Sequence, residues 1–196
     1  TFTINTYRTD NDEQIDKTFT IKKEEAPAKI SLKTNAKVTV ATQVYSGKAL
    51  KPAIKVVCQG KTLKAGTDYK VTYTNNTKIG IAKATITGIG NYTDSKTVTF
   101  KIAPKKTTIK GARSNKTKTA TVTYNKAAGS VSGYQITYSQ SNKFTKAKSQ
   151  TTAKTSYTIK SLTKGKTYYV KVRAYKNVSG TKVYGAYSKT LKVKVK

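Results

Sequence analysis

Apolar residues recur at every second position in many short segments of this sequence. Tyr69, Val71 and Tyr73 alternate with lysine and threonine, and Val170 and Val172 do the same near the C-terminus. Successive side chains of a β-strand point to opposite faces of a sheet, so this spacing predicts strands with one buried and one solvated face. No helical period persists for three turns. The predicted fold class is therefore all-β, with many short strands arranged as β-sandwiches.

Linkers divide the alternating segments into three groups. Residues 1–25 contain two alternating runs around the polar cluster TDNDEQ, which predicts a hairpin. Two strands alone are marginally stable, so we expect this hairpin to complete a domain that begins before Thr1 or to pack on its neighbour. The proline-containing segments EEAPAK and IAPKK mark the next two boundaries. They predict one domain at 28–103 and another at 105–196.

The residue composition excludes most catalytic chemistry. The chain has 39 Lys and Arg, 8 Asp and Glu, no His and one Cys. A Ser-His-Asp set, a Cys-His pair and a His/Cys zinc site are therefore unavailable. A carboxylate pair for glycoside hydrolysis could come only from Asp68 and Asp94 or from the N-terminal acidic cluster. We expect no catalysis and no cofactor, and we expect Cys58 to be a small buried residue of a strand.

The run LTKGKTYYVKVRAY, residues 162–175, resembles the E–F corner of fibronectin type III domains. In that family a Leu, a Gly and a Tyr precede an alternating strand. The resemblance implies that Leu162 and Gly165 form the corner and that the Tyr168 hydroxyl bonds back to nearby backbone. GYQITYS resembles the C strand of the family, and Tyr124 stands at the B-strand position usually held by Trp.

Residues 45–102 resemble a bacterial immunoglobulin-like repeat found in surface proteins of Gram-positive gut anaerobes. The segments GKTLKAGTDYKVTYTNN, GIGNYT and KTVTFKI carry this resemblance, and the C-terminal segment resembles the closing hairpin of fibronectin type III modules in such proteins. Together these resemblances imply tandem immunoglobulin-like and fibronectin type III β-sandwiches in an extracellular protein. They also imply that residues 1–25 are the last hairpin of a preceding immunoglobulin-like domain. Asp68 is expected to close the turn before Tyr69 through backbone N–H groups.

The basic surface is the strongest candidate for function. A net charge of +31 attracts polyanions. Anionic cell-wall polymers, glycans and host protein all stay open as partners, and the lysines can equally serve only to solubilise the strand faces. We expect no specific nucleic-acid binding, because the only arginines are Arg8, Arg113 and Arg173 and no nucleic-acid-binding motif is present. We also expect no membrane insertion, since no segment approaches transmembrane length.

Two further groups of residues are candidates for ligand contact. Tyr169, Tyr175, Tyr184 and Tyr187 are predicted to face outward, where they either form an aromatic platform for sugars or simply cover the sheet. The acidic cluster at residues 10–16 offers oxygen ligands for Ca²⁺, but its spacing fits no standard calcium loop and a solvated turn is favoured.

The sequence thus favours a non-catalytic structural and interaction module, which acts as a spacer or adhesion scaffold in a secreted or cell-surface bacterial protein. Its immediate partners would be neighbouring domains of a longer chain, because the sequence begins within a predicted strand rather than at Met. The alternative is an accessory carbohydrate-binding region of a secreted glycan-degrading enzyme. That alternative needs a row of solvent-exposed aromatic residues.

Overall fold

The computed structural model describes residues 2–6, 17–21 and 25–196, and nearly all regular structure in these ranges is β. At the N-terminus, β1 (Phe2–Thr6) and β2 (Lys17–Ile21) pair antiparallel. Phe2 lies opposite Ile21 in this register. The turn between the two strands and the candidate Ca²⁺ cluster at 10–16 lie outside the described residues.

The next ten elements form the N-terminal sandwich. They are β3 (Ile30–Ser31), α1 (Leu32–Asn35), β4 (Ala36–Val40), β5 (Gln43–Val44), β6 (Ile54–Cys58), β7 (Lys61–Thr62), β8 (Tyr69–Thr74), β9 (Gly80–Gly88), β10 (Tyr92–Thr93) and β11 (Ser95–Ala103). A three-stranded sheet, β4-β6-β7, faces a four-stranded sheet, β5-β11-β9-β8, and β3 pairs with β10. The inward residues Val56 and Ile86 come from opposite sheets and are fully buried in one cluster, because alternation gives each sheet one apolar face.

The remaining eight strands form the C-terminal sandwich. They are β12 (Ile109–Arg113), β13 (Ala120–Tyr124), β14 (Gly133–Ser139), β15 (Lys148–Thr152), β16 (Ser156–Ile159), β17 (Thr167–Val178), β18 (Thr181–Tyr184) and β19 (Leu191–Lys194). The sheet β12-β13-β16 packs on a five-stranded sheet in which β15, β14, β17 and β18 are neighbours and β19 also pairs with β17. Val122 and Val172 meet in its core. The predicted all-β class with tandem sandwiches is confirmed.

The last strand of the five-stranded sheet is interrupted between β18 and β19. The segment 185–190 still bonds to β17, since the Ser188 N–H donates to the Val172 carbonyl at 2.7 Å and the Gly185 N–H to the Ala174 carbonyl at 2.9 Å. The buried Ser188 hydroxyl in turn accepts the Val172 N–H at 3.0 Å. The interruption therefore leaves the sheet hydrogen-bonded while it changes which side chains of this segment face outward.

Candidate functional site

The outer face of the five-stranded sheet carries aromatic and cationic side chains in alternation. Lys171 and Arg173 are half-buried on β17, between the fully buried Val170, Val172 and Ala174. The Lys171 ammonium lies 3.8 Å from the ring centroid of Phe144 and 4.5 Å from that of Tyr187. The Arg173 guanidinium lies 3.7 Å from the Tyr184 centroid and 4.4 Å from the Tyr187 centroid. Such contacts contribute about 0.5–1 kcal/mol each at exposed sites.

We call these five residues, Phe144, Lys171, Tyr187, Arg173 and Tyr184, the cation–aromatic row. Hydrogen bonds hold its centre in place. Arg173 Nε donates to Gln135 Oε1 at 2.7 Å, and the Tyr187 hydroxyl donates to the same oxygen at 3.2 Å. The Tyr187 hydroxyl also lies 3.1 Å from Thr137 Oγ1. Tyr187 reaches this position because it belongs to the interruption between β18 and β19.

The four tyrosines predicted to face outward have different positions. Tyr184 and Tyr187 belong to the cation–aromatic row, and Tyr169 is half-buried on β17 opposite Ser139. Tyr175 lies opposite Tyr184 in the pairing of β17 with β18 and therefore shares the outer face of the sheet, but its ring is covered there and is only 8% exposed. Gly133, its partner on β14, leaves the space that the ring fills: a Cβ at Gly133 would lie 2.9 Å from the Tyr175 hydroxyl.

The cations of the cation–aromatic row cover ring faces on which a sugar would have to stack. A sugar stacks on an open aromatic face. In the row a cation lies over the rings of Tyr184 and Tyr187, and Lys182 lies 4.7 Å from the Tyr175 centroid. The arrangement therefore favours tyrosines that cover and stiffen the sheet over an aromatic platform for glycans.

The segment that resembles an E–F corner forms a tight turn between β16 and β17. Leu162 is buried in the core, and Gly165 has a left-handed φ of +77°. The Tyr168 hydroxyl accepts the Thr163 N–H at 3.2 Å and Gln140 Nε2–H at 2.9 Å. Burial alone would raise the pKa of Tyr168, but these hydrogen bonds and the charge of Lys148 outweigh it and lower the pKa.

A pair of buried tyrosines forms the centre of the C-terminal core. The rings of Tyr124 and Tyr134 are 4.8 Å apart, and the Tyr124 hydroxyl donates to the Lys154 carbonyl at 2.8 Å. Burial, with a smaller contribution from Tyr134, raises the pKa of Tyr124 well above its ordinary value. The Tyr134 hydroxyl accepts the buried Ala127 N–H at 2.9 Å. The alternating pattern predicted that Tyr134 points inward. It did not predict the hydrogen bond of the Tyr134 hydroxyl, because nothing in the local sequence identifies Ala127 as the partner.

Asp68 lies in the turn that precedes β8. Its Oδ2 accepts the Lys64 N–H at 2.7 Å, and the Asp68 N–H donates to the Lys64 carbonyl at 2.8 Å. The Gly66 N–H donates to the Tyr69 carbonyl at 2.8 Å. Burial and the Asp68 charge together raise the pKa of the Tyr69 phenol. The Asp68 carboxylate thus stabilises the turn before β8 through a backbone N–H group, as the sequence predicts.

The two sandwiches meet at a junction formed by Tyr45, Ile79, Pro104, Gly129 and Gly185. A Cβ on Gly129 would lie 2.7 Å from the Tyr45 ring and 2.8 Å from Ile79 Cδ1. A Cβ on Gly185 would lie 2.5 Å from the Pro104 carbonyl oxygen. Gly129 is therefore a position where the C-terminal sandwich approaches the N-terminal one too closely for any side chain, and Gly185 is a position where it approaches the linker too closely. Sequence reasoning did not single them out.

Among residues 2–6, 17–21 and 25–196 no three His, Cys, Asp or Glu side chains come together as metal ligands. Cys58 is buried at 2% exposure. No helix in this described part of the chain is long and apolar enough to cross a membrane.

Comparison with known proteins identifies one part of the chain. The fibronectin type III domain family matches residues 103–189. Solved structures with a similar fold include the sixth fibronectin type III domain of human fibronectin type III domain containing protein 3, at 19% identity and a TM-score of 0.37 over 47% of this chain and 86% of that one. The FN1–FN3 domains of chicken CNTN1 match at 15% identity and a TM-score of 0.44, over 94% of this chain and 72% of that one. No curated protein matches the sequence. A fibronectin type III domain, of the class that serves as a generic interaction or spacer module, is thus recognised at residues 103–189.

Proposed function

We propose that this chain is a non-catalytic spacer and adhesion scaffold of a secreted or cell-surface bacterial protein. Its units would be the end of a preceding domain at 1–25, an immunoglobulin-like domain at 28–103 and a fibronectin type III domain at 105–196. The junction is the observation that carries this proposal. A spacer must transmit orientation as well as length, and close packing of glycine backbone against Tyr45, Ile79 and Pro104 favours one fixed angle between the sandwiches.

Distance measurement between two spin labels by electron paramagnetic resonance tests whether the angle between the two sandwiches is fixed. Spin labels are placed at exposed positions by Lys70→Cys in the N-terminal sandwich and Lys154→Cys in the C-terminal one. Cys58 is buried and should stay unlabelled. We expect a single narrow distance distribution. A broad distribution, of the kind that a flexible linker produces, would contradict the rigid spacer.

Anionic polymers are the partners that the charge supports best. No Asp or Glu follows Asp94 in the sequence, so the C-terminal sandwich has only cationic charged side chains. We expect the chain to be retained on a heparin column at low salt and to elute at moderate salt, because contacts between exposed charges are screened and bound counterions are released. Failure to bind at low salt would remove polyanions as partners and leave the lysines a solubilising role.

A further inference from the structure

A cleft of about 600 Å³ opens at the edge of the C-terminal sandwich. It lies between the loop that joins β14 to β15 and the turn that follows β16. Both β15 and β16 are edge strands of their sheets, so the cleft occupies a place where the two sheets are not closed by a further strand. Its polar lining includes Gln140, Lys146, Lys148, Gln150, Lys160 and Ser161. Its size is within the range of small-ligand sites.

Three exposed lysines line this cleft. Lys146 comes from the β14–β15 loop, Lys148 from β15 and Lys160 from the turn after β16. No carboxylate among the described residues lines it. Like charges brought together without a counter-charge repel each other, and an anion bound among them would relieve that repulsion.

One residue that lines the cleft, Tyr168, has a hydroxyl that is held in place by hydrogen bonds. The Tyr168 hydroxyl, which lines the cleft, already accepts hydrogen bonds from Thr163 N–H and Gln140 Nε2–H. Burial alone would raise the pKa of this phenol, but its hydrogen bonds with Thr163 and Gln140, together with the smaller effect of the Lys148 charge, lower it. The amides of Gln140 and Gln150 and the hydroxyl of Ser161 add neutral donors and acceptors around it.

Two residues of the cleft have a backbone conformation that L-residues avoid. Lys146 has a φ of +49° and Ser161 a φ of +56°. Left-handed conformations at residues other than glycine carry a strain that tends to collect at ligand sites. Protection of an edge strand against pairing explains an inward lysine on β15. It does not explain why a strained loop and a strained turn bring two more lysines to the same place.

We propose that the cleft binds an acidic sugar unit of a polysaccharide. Its carboxylate or sulfate would lie among Lys146, Lys148 and Lys160, and its ring hydroxyls would bond to Gln140, Gln150 and Ser161. Lysine binds such groups as a point charge, while sugar hydroxyls need neutral amides and hydroxyls. The tyrosines of the cleft, Tyr138 and Tyr168, are buried and offer no stacking surface for nucleobases. The site rests on the proposed affinity for anionic polymers, which it deepens, but it does not depend on the spacer function.

Calorimetric titration of the full chain at low salt tests the site. The probes are trigalacturonate, which carries carboxylates, a heparin tetrasaccharide, which also carries sulfates, and neutral maltotriose. We expect one or both acidic probes to bind and maltotriose not to bind, and the better of the two acidic probes identifies the anionic group. The double variant Lys148→Gln/Lys160→Gln is expected to raise the Kd of that probe about tenfold, because two of the three cations are lost.

A matched control separates the cleft from the general charge. Lys110→Gln/Lys126→Gln removes the same net charge from exposed positions of the same sandwich and should change the Kd less than about twofold. An equal loss in both double variants would overturn the site and leave only non-specific polyanion binding. So would tighter binding of an eight-residue oligo-dT, or no binding of either acidic probe. None of these results would affect the inter-sandwich distance measurement.

Discussion

Replacement of Tyr134 by alanine is expected to lower the free energy of unfolding of the C-terminal sandwich by about 3–5 kcal/mol. Tyr134 is 2% exposed and is among the largest fully buried side chains of the described chain. Its loss leaves a cavity beside Tyr124, whose ring lies 4.8 Å away, and removes the acceptor of the Ala127 N–H. Urea unfolding followed by circular dichroism measures the loss. Hydrogen exchange of β14 and β17 amides assigns it to this sandwich.

The hydroxyl of Tyr134 can be tested apart from its ring. Tyr134→Phe keeps the ring but leaves the buried Ala127 N–H without its acceptor, so we expect a loss of about 1–3 kcal/mol. Tyr157→Phe, at a half-buried ring on β16 packed against the same core, is the control and should change stability by less than about 0.5 kcal/mol. Equal effects of the two Tyr→Phe variants would contradict a specific role for the Tyr134 hydrogen bond.

Alanine at Gly129 is expected to loosen the junction between the sandwiches. The φ of Gly129 is +80°, which costs an L-residue about 1–2 kcal/mol. The new Cβ would also lie 2.7 Å from the Tyr45 ring, so Tyr45 or the whole sandwich must move. We therefore expect the distance distribution between labels at positions 70 and 154 to broaden, while the core of each sandwich stays folded.

Gly180→Ala is the matched control for the junction. Gly180 has a nearly identical φ of +79° and lies in the turn between β17 and β18. No atom of the described residues lies within 4 Å of the position that its Cβ would take. It should show the backbone cost without any change in the inter-sandwich distances. If both variants leave the distances narrow, close packing at Gly129 does not set the angle, and the rigid spacer loses its main support.

The outer face of β17 shows how much of the candidate site the alternation of residues in the sequence could predict. Alternation gave β17 two different faces and put Tyr175 on the same face as Tyr184, but it could not show that the Tyr175 ring would be covered there. The ring of Tyr175 is buried because its cross-strand neighbour is Gly133, and a single strand carries no information about its partner's size. The same holds for the Lys171 and Arg173 contacts, which join β17 to a loop at Phe144 and to an interrupted strand at Tyr187.

The sequence by itself determined the all-β class, because a period of two is a property of neighbouring residues and of the strand geometry they adopt. It also marked the turn at Asp68, since that turn bonds within a few residues, and the resemblance to fibronectin type III domains marked Gly165. Only the tertiary structure decided the junction, the cation–aromatic row and the lysine cleft. Each joins residues that are far apart in the chain, and their contacts depend on which strands become neighbours and on the space that each glycine leaves.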